Sequence, residues 1–92
     1  MTIKFGWDRR KARVNKRKHG ITFEEASTIF GDILSITIED PAHSIAEQRF
    51  ITIGTSVNNR LIVVVHTERN DIIRIISARK TTGNERKEYE KG

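Results

Sequence analysis

Apolar and polar positions alternate over residues 2–7, where Ile3, Phe5 and Trp7 stand against Thr2, Lys4 and Gly6. That period of two predicts a short first strand. The period then lengthens. Asp8 is placed to cap a helix over residues 9–19, and Gly20 can take the left-handed conformation that ends one. The apolar stripe of this helix is thin, Ala12 and Val14, so the stems of its Lys and Arg side chains are expected to help cover the core. Thr22 and Glu25 have the spacing of a capping box at the head of a second helix over residues 23–30. Phe23, Ala26, Ile29 and Phe30 share one face of it and are expected in the core.

The two-residue period returns over residues 34–38, with Leu34, Ile36 and Ile38 opposite Ser35 and Thr37. A polar loop over 39–47 follows, containing the single proline, Pro41, and His43. Three more runs, 49–55, 61–67 and 72–79, read as strands. Asn58-Asn59 suits the first turn between them, and residues 68–71 make the second, where Asn70 tolerates a positive φ. Such short connections predict an antiparallel meander. If the last hairpin pairs in an even register, Ile62, Val64, His66, Ile72, Arg74 and Ile76 share one face, with His66 beside Arg74. The final strand is apolar on both faces apart from Arg74, which implies cover on both sides. Thr82 and Glu85 open another capping box, and a short helix runs on through Tyr89 and Glu90. It carries so little apolar surface that it should fray unless Tyr89 anchors it. The elements together predict an α+β fold with two helices packed on the sheet.

Composition narrows the class. Ninety-two residues make one domain with a modest core. There are no cysteines, which excludes disulfides and thiolate metal sites. No apolar run approaches the roughly 18 residues of a membrane span, and no signal-peptide pattern opens the chain. A cytoplasmic location is expected. The formal net charge of +5 favours a polyanionic partner. The charge is uneven: Arg9, Arg10, Lys11, Arg13, Lys16, Arg17 and Lys18 crowd into the first helix. They form either a solvated face or a surface for RNA phosphates or an acidic partner.

The candidate chemistry gathers on the last hairpin. Cleaving RNA without a metal needs a group to take the 2′-hydroxyl proton, a group to protonate the leaving 5′-oxygen, and cations against the charge that builds on phosphorus. His19, His66, Glu68, Arg69, Arg74, Arg79 and Lys80 offer such groups. An arginine set among isoleucines is costly to desolvate unless it meets an anion, either a carboxylate such as Glu68 or a substrate phosphate. His19 sits where it could equally cap helix carbonyls, and His66 could be a hydrogen-bonded strand residue. No metal site, nucleotide-binding loop or serine-nucleophile motif is present, and no cofactor is expected.

The order and spacing of several short motifs resemble the BrnT family of toxins from type II toxin–antitoxin pairs. They are Phe5-Gly6-Trp7-Asp8, Asn15 through Ala26, Glu39-Asp40-Pro41, Glu47-Gln48-Arg49-Phe50, Ile53-Gly54, and Thr67 through Lys80 followed by Glu85, Arg86 and Tyr89. The resemblance covers essentially the whole chain. It implies a RelE-like fold and a metal-independent endoribonuclease that inhibits translation. The implied partner is a BrnA-like ribbon–helix–helix antitoxin, which holds the toxin in a hetero-oligomer and alone contacts operator DNA. His19, Glu68, Arg69, Arg74, Arg79 and Lys80 stand at family-like positions, with the division of roles among them left open. His66 replaces an expected aromatic, and Asn70 an expected glycine. The competing reading is a non-catalytic basic module that binds nucleic acid or a partner through the first helix.

Overall fold

The computed structural model describes residues 3–43 and 47–92. Thr2 of the expected first strand and positions 44–46 of the expected loop lie outside the described residues. The order is β1 (Lys4–Gly6), α1 (Arg9–His19), α2 (Phe23–Ser27), β2 (Ile36–Glu39), β3 (Phe50–Thr55), β4 (Leu61–Arg69), β5 (Ile72–Lys80) and α3 (Gly83–Lys91). Two 3₁₀ turns, Thr28–Gly31 and Pro41–His43, complete it. The five strands form one sheet in the order β1-β5-β4-β3-β2. β2 to β5 are the antiparallel meander the short connections predict, whereas β1 adds to β5 in parallel. A parallel neighbour needs a long crossover, and α1 and α2 supply it. No helix among the described residues is long and apolar enough to cross a membrane.

The helix ends follow local chemistry. The Asp8 carboxylate accepts the Lys11 amide at 3.0 Å, and the Gly20 amide, at φ 71°, donates to the Lys16 carbonyl at 2.8 Å. Lys16, Arg17, Lys18 and His19 crowd the last turn of α1, where the helix dipole favours positive charge. The Thr22 hydroxyl accepts the Glu25 amide at 3.0 Å, but Glu25 does not close the capping box. Its carboxylate instead binds the Arg60 guanidinium and the Ser56 hydroxyl, which hold it down to about 2. The helix expected over 23–30 tightens after Ser27. The Ser27 and Thr28 hydroxyls donate to the carbonyls of Glu24 and Glu25, each at 2.6 Å, and compete with the helical ladder. β2 likewise starts two residues late. Asp32 accepts the Leu34 amide at 2.9 Å and holds Ile33 and Leu34 in an exposed turn.

Ile21, Phe23, Ala26 and Ile29 pack on Ile62, Val64, Ile75 and Ala78, with Phe5, Trp7, Ala12 and Phe30 at the margin. The stripe of α1 differs from expectation. Val14 is half-exposed, and Asn15 is the residue turned inward. The Asn15 amide donates to the carbonyls of Ile21 and Ala78 and accepts the Ala78 amide at 3.0 Å. Beyond Arg74 the outer edge of β5 has no strand beside it, so this side chain satisfies Ala78 in a strand's place. α3 lies on the other side of the sheet, where a complete capping box starts it. Tyr89 does anchor it: the phenol donates to Asp32 at 2.6 Å, and the Thr55 hydroxyl is 3.1 Å away.

Candidate active site

One irregularity in the last hairpin decides which side chains can meet. The turn is shorter than expected, two residues, Asn70 and Asp71, at φ 52° and 66°. This is the left-handed pair that matches the twist of a hairpin. Pairing from Ile62↔Lys80 to Val65↔Ser77 has the even register the sequence allows, but His66 then pairs with Ile75, leaving Ile76 as a bulge. From that point to the turn the alternation of β5 is reversed. Ile73 and Ile75 enter the helix-covered side, and Ile72 and Arg74 emerge on the opposite face. The expectation that His66 and Arg74 are neighbours on one face is therefore corrected. Ile62, Val64 and His66 face the helices; Arg74 does not.

His66 is 1% exposed. Its ring stacks on Phe50, meets the edge of Phe30 at 4.9 Å, and bonds through Nε2 to the Thr52 hydroxyl at 2.8 Å. Nδ1 has no partner among the described residues. Burial pushes the imidazole down to about 4, so it is neutral at physiological pH. A side chain so enclosed fills the core and cannot reach a phosphodiester. The place where the family resemblance leads one to expect an aromatic is a place between two aromatics.

The other candidates are spread over the molecule. Arg69 and Arg74 share the face opposite α1 and α2 with the buried Thr67, which pairs directly with Arg74. Together with Gly6, Ile72 and Glu47 they line a depression of about 360 Å³. Arg69 is held at 3.1 Å by Glu47. Arg74 is exposed and has no carboxylate partner among the described residues. Glu68 pairs with Ile73, so it points to the other side of the hairpin, in a hollow with Ile3 and Asp71. Arg79 shares the face of Arg74 but lies five residues along, roughly 15 Å at the rise of a strand. Glu85 of α3 grips both its terminal nitrogens, at 2.8 and 2.7 Å. That pairing holds the Glu85 carboxyl down to about 2. Lys80 sits farther off beside Arg60 and Arg86, and His19 lines a groove with Ile76 and Ser77 at the β5 edge. The seven cations of α1 are all exposed, and none forms an ion pair with a described residue.

The structure thus brings together two of the seven hairpin-centred candidates, Arg69 and Arg74, and adds Glu47. Sequence patterning misses Glu47 because nothing in a polar loop tells which strand the loop folds against. The available signal is its place in the stretch Glu47-Gln48-Arg49-Phe50, one of those that carry the family resemblance.

A solved structure shares this α+β fold. The chain superposes on the 1.1 Å crystal structure of the Brucella abortus ribonuclease toxin BrnT with a TM-score of 0.64 and 24% identity. The match covers 88% of this chain and 99% of that one. Comparison with curated protein sequences finds no match. Residues 7–85 match the family described as the ribonuclease toxin, BrnT, of type II toxin–antitoxin systems, and the chain belongs to that family.

Proposed function

We propose that this protein is the toxin of a type II pair, an endoribonuclease that cuts RNA without a metal ion, inhibits translation and acts in the cytoplasm. The observation that carries the reading is Arg74. An exposed guanidinium on the hairpin face turned away from α1 and α2, with no carboxylate partner among the described residues, is poised for an external anion. Arg69 stands beside it in the same depression. Arg79, roughly 15 Å away along β5, is too far to hold the same phosphate. If it takes part, it contacts another phosphate of the strand, and only after Glu85 lets it go. Lys80, Glu68 and His19 stand outside this depression. His66 supports the site only by filling the core beneath it.

The antitoxin is proposed to be a BrnA-like ribbon–helix–helix protein that forms a hetero-oligomer with the toxin and makes the contacts to operator DNA. The cations of α1, unpaired among the described residues, support a binding surface there, for RNA or for an acidic part of the antitoxin. They also keep alive a second reading, a basic module without catalysis. One experiment separates the two. Purified protein is incubated with RNA in EDTA, alongside Arg74→Ala. Cleavage by the parent that falls about 100-fold or more in the variant, with the circular dichroism unchanged, supports the enzyme. Salt-sensitive binding without any cleavage supports the basic module.

A further inference from the structure

The depression that holds Arg69 and Arg74 also holds a carboxylate. We propose that Glu47 is the general base of RNA cleavage, taking the 2′-hydroxyl proton of a strand whose phosphate lies against Arg74. The inference rests on the ribonuclease reading above and assigns the group that reading leaves open.

Among the described residues, the other groups able to accept a proton near the hairpin are turned away or occupied. Glu68 is on the opposite side of β4, and Asp71 of the turn lines the same hollow as Glu68 and not this depression. Glu85 is bound twice by Arg79 and once by the Thr82 amide. His66 is enclosed, and His19 lies in the groove at the β5 edge. Glu47 alone shares the depression with Arg74 and Thr67.

Its contacts are those of a group kept available. Only Oε1 is engaged among the described residues, by Arg69 Nη2 at 3.1 Å. The pair is open to solvent, 72% for Arg69 and 48% for Glu47, so it adds little to stability. What it does is tether Oε1 at the edge of the depression and leave Oε2 without a partner among the described residues. Arg69 can also keep one hand on the phosphate, since a guanidinium has five donors.

The 2′-oxygen gives its proton to Glu47 and bonds to phosphorus while the bond from phosphorus to the 5′-oxygen breaks. The departing 5′-oxygen takes a proton from water, and the hydroxide so formed takes the proton back from Glu47. The products end in a 2′,3′-cyclic phosphate and a 5′-hydroxyl. Arg74 stabilises the negative charge on the non-bridging oxygens throughout.

The test uses the full chain and a synthetic single-stranded RNA in EDTA, with the all-deoxy strand as control. The parent should cut the RNA, leave a cyclic phosphate end and spare the deoxy strand. Glu47→Gln should lower kcat by about 100-fold or more with KM little changed, and flatten the acid limb of the pH–rate profile. Glu47→Asp should recover part of the rate and the limb. An active parent with a Glu47→Gln variant within a few-fold of it overturns the assignment of Glu47 alone. So does a variant whose loss lies in KM while the acid limb persists, because Glu47 would then merely position Arg69. A parent that cuts no RNA overturns the ribonuclease reading and this inference with it.

Discussion

His66 shows how a titratable side chain can be written into a core. It is neutral in the folded protein, lowered to about 4 from an ordinary 6.5 by burial. The unfolded chain therefore binds one more proton between those values. The contribution of His66 to stability is complete above pH 6.5 and is lost as the pH falls toward 4. Glu25 and Glu85 are held at about 2 against an ordinary 4.5, so their losses begin lower. Chemical denaturation at pH 6.5 and 4.5 should then show a drop of about 2 kcal/mol that belongs mainly to this imidazole. His66→Leu should flatten that interval. A variant with the same slope as the parent would place the titration elsewhere.

At the scale of elements, α3 is the weakest part of the fold. No residue of it is buried, so little apolar area holds it, and its attachment is polar: Glu85 on Arg79 at one end, Tyr89 on Asp32 at the other. A hydrogen bond to a charged acceptor contributes about 1.5–3 kcal/mol. Tyr89→Phe should therefore raise the local opening of α3 roughly ten-fold or more, seen as faster amide exchange in α3 with β4 and β5 unchanged. Equal acceleration in the strands would mean that α3 and the sheet open as one unit. The limits of sequence reading also fall at this scale. The caps of Asp8, Thr22 and Thr82 are legible because each joins a side chain to the backbone amide three residues on. So are the strands, whose period is local. The late start of β2 and the tightened end of α2 are set by short-range side-chain bonds that break the apolar period, and the choice of Asn15 over Val14 by a tertiary partner, Ala78. The site suffered most, because periodicity says which residues alternate but not where the count slips. One bulge was enough to part His66 from Arg74, and one loop residue, Glu47, came in from outside the pattern.

The whole molecule separates its charges into two unlike regions. The seven cations of α1 stand unpaired among the described residues, while Arg60, Arg69 and Arg79 are each matched by a glutamate. An unpaired basic helix beside the sheet edge gives attraction without sequence readout, and the hairpin face gives the geometry. RNA binding should weaken with salt, and replacing Arg13, Lys16 and Arg17 with Gln should reduce the slope of log affinity against log salt by about 2. Titration of one RNA oligonucleotide at several salt concentrations measures it. An unchanged slope would remove α1 from the RNA surface and leave it for the antitoxin.

The extra residue at Ile76 acts as a phase slip. On one side of it the strand keeps time with the core, and on the other it runs a half-period behind, so a sequence dense in isoleucine can lend its arginine to the solvent while Ile73 and Ile75 stay packed and only Ile72 is given up to the surface. Two demands that conflict in a regular ribbon are thereby met by a single strand. Near the tip, one face of the hairpin can vary while the other, through Ile73 and Ile75, still answers to the core.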